Sequence, residues 1–201
     1  MNNKVLSIAF ALIISTAFAQ ADKSAESFNR SYNLEATKDY KGAIAALDAV
    51  YQATSYEFNL RLGWLQYLNG DFAKSMSYYK KAIELKPKSV EARLGLAYPT
   101  YALGNWEDLI KNYKEILTYD PMHYTVNTRL ANIYFERKQY ETALGFLLKL
   151  HEQYPFDYAT NLLMGKIYVS MGKITEAKQA YNTCLLYYPN EIEVINALKK
   201  L

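Results

Sequence analysis

A single cysteine among 201 residues, Cys184, leaves no second thiol for an internal disulfide, so packing alone must hold whatever fold this chain adopts. Imidazole is nearly as scarce. The two histidines, His123 and His151, form no pair with each other or with Cys184 at metal-ligand spacing. That excludes the common zinc patterns and leaves little for a nucleophile–base pair. His123 falls between two helical stretches, His151 follows Leu150 inside another, and Cys184 has the spacing of a core residue, so all three read as structural. Acidic side chains are plentiful, but Glu35, Asp39 and Asp48 fit solvated faces and turns. No catalytic residue, metal ligand or cofactor motif is expected. An excess of one charge is also lacking. The formal net charge is +3, and the signs alternate along the chain, so no basic face is offered to nucleic acid.

Long apolar runs are missing too, except at the start. Lys4 is followed by fifteen residues without charge, Val5 to Ala19, ending in Ala17-Phe18-Ala19. A basic start, a short apolar run and small residues two apart make residues 1–19 a signal peptide, because the run falls short of the roughly twenty residues that span a bilayer. Cleavage after Ala19 would begin the mature chain at Gln20, and Ala19-Gln20-Ala21 offers a second site. No cysteine lies nearby to take a lipid anchor, and no later segment is long and apolar enough to span. The expected product is soluble, periplasmic or secreted, and has no integral membrane segment.

What remains is repetition. Residues 56–89, 90–123, 124–157 and 158–191 align without a gap at a period of 34, and 24–55 aligns as a shortened copy. One column reads Ser31, Gly63, Ala97, Ala131, Gly165, small residues where two helices come close. Another reads Tyr40, Phe72, Trp106, Tyr140, Ile174. Pro87, Pro121, Pro155 and Pro189 close the last four copies, since proline cannot continue a helix and turns the preceding residue away from helical angles. Within a copy, apolar residues recur every three or four places, as in Leu130, Tyr134 and then Ala143, Leu147, Leu150. Each copy is therefore two helices, joined at turns such as Asn69-Gly70-Asp71, Leu103-Gly104-Asn105 and Met171-Gly172-Lys173, where glycine can take the left-handed conformation.

These residues resemble the tetratricopeptide repeat family, most clearly at Leu62-Gly63, Gly70-Asp71-Phe72, Tyr79, Ala82 and Pro87. The likeness covers residues 24–191. Leu109 stands where the family has alanine, Val50, Ile116 and Leu150 replace another alanine, and the first copy lacks the closing proline. The resemblance implies an all-α, tetratricopeptide-type α-solenoid of five helix pairs. Such an array needs a polar-backed end, and the sequence supplies a C-terminal capping helix over 192–201, with Ile192, Ile195, Leu198 and Leu201 on its inner side.

The first helices carry a second stripe. Positions four and then three apart read Phe28, Tyr32, Glu35; Leu60, Trp64, Tyr67; Leu94, Tyr98, Tyr101; Thr128, Asn132, Phe135; Leu162, Lys166, Val169. This stripe lies on a different side of the same helices from Leu62 with Gln66, Leu96 with Thr100 and Leu130 with Tyr134, which hold the pairs together. In the family this side lines a concave groove for extended peptides or partner helices. Phe28, Tyr32, Leu60, Trp64, Tyr67, Leu94, Tyr98 and Tyr101 are thus the candidate partner-binding residues, and the alternative is that they fill contacts between successive first helices. The family groove that clamps a chaperone's terminal carboxylates needs lysine and asparagine where this chain has Phe28 and Tyr32, so that function is not implied. Pro99 lies inside a first helix, and a kink eased by Gly95 is expected there. The function expected is a non-catalytic scaffold in the cell envelope for a protein or peptide. A glycan-handling or enzyme-associated role is the alternative, since tyrosine and tryptophan also stack on sugars.

Overall fold

The computed structural model describes residues 22–201; the expected signal peptide lies outside the described residues. Among those residues every regular element is an α-helix, and there are eleven. Helix α1 covers 22–36, followed by α2 (Tyr40–Asp48), α3 (Tyr56–Leu68), α4 (Phe72–Leu85), α5 (Val90–Ala102) and α6 (Trp106–Tyr119). Then come α7 (Tyr124–Glu136), α8 (Tyr140–Gln153), α9 (Tyr158–Ser170), α10 (Ile174–Tyr187) and α11 (Ile192–Lys199). The chain divides into two compact units, one running to Leu109 and the other from Ile110 to Leu201.

The helix ends follow from local chemistry. Asp39, Ser55, Asp71, Ser89 and Asp157 each precede a helix, and each side chain accepts a hydrogen bond from the backbone N–H three residues on, filling one of the donors a helix start leaves open. His123 does the same for α7 through Nδ1, which accepts from the N–H of Val126 at 3.4 Å. Gly70, Gly104 and Gly172 end first helices with φ of 81°, 68° and 72°. At the equivalent places Lys38 and Lys138 take φ of 62° and 58° without that freedom.

In the first unit α3 packs on α2, α4 and α5. Ala43, Leu47, Phe58, Leu62 and Leu65 form one buried cluster, and Tyr56, Ala82 and Ala92 another. Tyr79 of α4 lies against the backbones of α3 and α5, and a Cβ added to Gly63 would sit 3.0 Å from its ring. At Gly95 the approach is closer still. Gly95 therefore makes room for Tyr79, whose hydroxyl burial holds well above its ordinary pKa. Helix α5 runs from Val90 to Ala102 with Pro99 buried inside it.

In the second unit α7 packs on α8, α8 on α9, α9 on α10 and α10 on α11. Tyr181 crowds Gly165 as Tyr79 crowds Gly63. The inner face of α11 differs from the expected one. Val194 is fully buried against Tyr181 and Cys184, with Ala197, Leu198 and Leu201 packed around them, whereas Ile192 is 70% exposed. Two overlapping apolar stripes run along this helix, and contact with α10 selects the one centred on Val194.

An asparagine column escaped the sequence reading. Asn127 Nδ2 donates to the carbonyls of Pro121 and His123, and Asn161 Nδ2 to those of Pro155 and Asp157, all at 2.8–3.0 Å. Asn59 does the same to Ala53 and Ser55, and Arg93 reaches the carbonyl of Pro87. Each ties the turn before a first helix to that helix, satisfying loop carbonyls that the turn would otherwise bury.

Candidate functional site

Six of the eight candidate partner-binding residues come together. Phe28 and Tyr32 of α1, Leu60 and Trp64 of α3, and Leu94 and Tyr98 of α5 line one groove of about 740 Å³ in the first unit. Helical spacing explains the grouping, since residues four apart lie one above the other on a single face. The other stripe is inside: Leu62, Gln66, Leu96 and Thr100 are all buried. Tyr67 and Tyr101 do not line the groove. Tyr67 packs on Trp64, Phe72 and Tyr98 at centroid distances of 5.6, 5.7 and 5.5 Å, and Tyr101 meets Trp106 edge-on at 5.3 Å.

The rings pack between helices and also keep exposed faces. Trp64 and Tyr98 meet edge-on at 5.9 Å, a contact between successive first helices. Yet Tyr32 stays 54%, Tyr98 39% and Tyr101 61% exposed. Ring-to-ring packing of this kind fixes orientation while leaving faces open to water.

The polar lining was not foreseen. Glu35, expected on a solvated face, is instead half-buried: it accepts the indole N–H of Trp64 at 2.7 Å and forms an ion pair with Arg61 Nη1. Arg61 Nε donates to Ser31 Oγ at 3.2 Å, and its guanidinium stacks under the Tyr32 ring at 3.9 Å. Tyr56 donates to Glu91 Oε2 at 2.9 Å and shares a hydrogen bond with Ser89 Oγ at 2.7 Å, tying the start of α3 to the start of α5. Burial, ahead of the neighbouring carboxylates, raises the Tyr56 pKa. Glu57 also lines the groove; its pKa is lowered by backbone and Ser55 hydrogen bonds, and Lys86 lies 3.2 Å away. The signal available in sequence was Glu35 itself, the one charged residue in the stripe of the first two copies.

The stripe positions of the second unit are polar in part. Asn132 is exposed, with its amide on the Thr128 carbonyl, and Lys166 pairs with Glu193 of α11 at 2.7 Å. A second aromatic surface stands on the turns of this unit, where Phe156, Tyr158, Tyr187 and Tyr188 contact one another. Beside it Tyr124, Tyr154, Pro155, Phe156 and Asp157 line an open hollow of about 490 Å³. Sequence reading assigned the prolines to helix ends and passed over the tyrosines around them. Cys184 is buried, and burial pushes its thiol up to about 11. Among the described residues no three of His, Cys, Asp and Glu converge as a metal site, and no helix is long and apolar enough to cross a membrane.

Paired helices, with an aromatic groove on the first helices α1, α3 and α5, define a scaffold for protein interaction. Two family models match, a tetratricopeptide repeat over residues 28–90 and a tetratricopeptide repeat-like domain over 108–199, together well over half the chain. This chain belongs to the tetratricopeptide repeat family. A tetratricopeptide repeat protein from Parabacteroides merdae shares its fold at a TM-score of 0.75 and 18% identity, over 88% of this chain and 71% of the other. The MamA protein does so at 0.70 and 18%, over 82% and 91%. Among curated relatives, the TPR repeat-containing thioredoxin TTL4 of Arabidopsis thaliana is 28% identical over 98 residues, 49% of this chain. BBSome complex member BBS4 of Bos taurus is 37% identical over 67 residues, 32% of this chain. The matches span only 14% and 12% of those two proteins.

Proposed function

We propose that this chain is a non-catalytic adaptor that holds a protein or peptide partner in the groove of α1, α3 and α5. It would act in a periplasm or comparable extracytoplasmic space, after removal of residues 1–19. The observation that carries the reading is the division of labour on the first helices. Core contacts are filled by Leu62, Gln66, Leu96 and Thr100, so the rings of Tyr32, Trp64 and Tyr98 are surplus to that core, and they line a groove large enough for several side chains. Aromatic anchors in such places dominate the affinity of protein interfaces, and a helix or extended segment is the usual occupant.

The test is a comparison of captures from the native cell envelope, using the wild-type chain and a Trp64→Ala/Tyr98→Ala variant of matched folded content. A partner retained by the first and lost by the second supports the groove. Partners held equally by both would place binding elsewhere.

A further inference from the structure

One residue lining the groove, Arg61, carries a donor that the protein leaves unused. Arg61 is only 8% exposed, and Nε and Nη1 are taken by Ser31 and Glu35, but Nη2 is buried without an acceptor in the protein. Buried charged donors are seldom left unsatisfied, because the group has given up water and received nothing in return. Arg61 also lines the groove, and the ring stacked on its guanidinium is the half-exposed Tyr32, the side chain best able to swing aside.

The chemistry of the missing acceptor follows from the surrounding charges. Glu35 already balances the guanidinium. Glu57 and Glu91 line the same groove and are exposed; Lys86 pairs with Glu57 at 3.2 Å, so Glu91, which accepts from the Tyr56 hydroxyl, leaves the rim with one carboxylate in excess although the chain as a whole carries +3. A ligand carboxylate would meet the unpaired charge of Glu91 and a guanidinium whose charge is spent. A neutral carbonyl satisfies Nη2 without that repulsion, and a cationic side chain beside it is drawn to the rim.

We infer, building on the groove reading above, that the occupant is a polypeptide segment in which an apolar side chain seated on Trp64 is flanked by lysine or arginine. One of its main-chain carbonyls accepts from Arg61 Nη2 after Tyr32 moves aside.

The probe is a random twelve-residue peptide library panned against the whole chain, with Trp64→Ala as counter-selection. The expected result is enrichment of Lys or Arg within about three residues of Trp, Phe or Leu. A synthetic peptide so selected should bind at least about tenfold more weakly to Glu57→Gln/Glu91→Gln and to Arg61→Lys. If Arg61→Lys does not fold, a scan replacing each peptide carbonyl by a thiocarbonyl keeps the question open to refutation, since one position should lose about tenfold. Peptides with acidic flanks or no charge preference would overturn this inference and leave the groove standing, as would a scan without a sensitive position for the Arg61 contact. No enrichment over the counter-selection would overturn the groove itself.

Discussion

Trp64 is the residue at which folding and the proposed recognition meet. Its indole N–H is bonded to Glu35 while part of the ring lines the groove, so truncation acts on both. Trp64→Ala should cost about 1–2 kcal/mol of stability, less than the 3–5 of a fully buried tryptophan because the ring is only half-buried. It should also remove about 2 kcal/mol of partner binding, near thirtyfold in affinity. Thermal unfolding and titration of the captured partner measure the two separately, and a large fall in Tm with unchanged affinity per folded molecule would make Trp64 a core residue only. Asn161 is purely structural by contrast. Its amide serves two carbonyls in a buried place, so Asn161→Ala should lose about 2 kcal/mol, while exposed Asn182→Ala should stay within about 0.5 by urea unfolding.

At the scale of elements, the turns and the last helix are the informative places. Lys138 adopts a conformation that costs a non-glycine residue about 1 kcal/mol or more, and the equivalent places at 70, 104 and 172 hold glycine. Lys138→Gly should therefore raise stability by about 0.5 kcal/mol, after the entropy glycine loses on folding; a fall in the urea midpoint would contradict this. Helix α11 covers Tyr181 and Cys184 with Val194. Deleting residues 192–201 should expose that face, speed amide exchange in α9 and α10 first, and leave α1–α4 protected. Cys184 reports the same event chemically. With its thiol held at about 11, its reaction with a disulfide reagent at pH 8 should be about a hundredfold or more slower than that of a free thiol, and the deletion should abolish most of that protection. Equal loss of protection in α1–α4 would mean that the helix pairs do not act as neighbours.

For the whole molecule, the apolar run after Lys4 yields a prediction independent of the fold. The chain should be recovered outside the cytoplasm in a soluble fraction with Gln20 at its N-terminus. Sequencing that found Met1 intact in a membrane pellet would remove both export and the extracytoplasmic function proposed above.

The sequence by itself determined the fold class, the helix-pair architecture and the face of the first helices on which the aromatic stripe lies. The reason is that period, proline positions and the three-to-four spacing of apolar residues are local quantities, repeated four times without a gap. Tertiary structure decided whatever depends on one helix meeting another. Glu35 looks solvated in sequence because its partners, Arg61 and Trp64, are 26 and 29 residues away and reach it only when α3 packs beside α1. The exchange of Ile192 for Val194 on the inner face of α11 has the same origin: an eight-residue helix with two apolar stripes has no intrinsic inside until α10 supplies Tyr181 and Cys184. The groove's aromatic lining was legible because it follows helical spacing, and its buried guanidinium was not, because burial is a property of the packed pair.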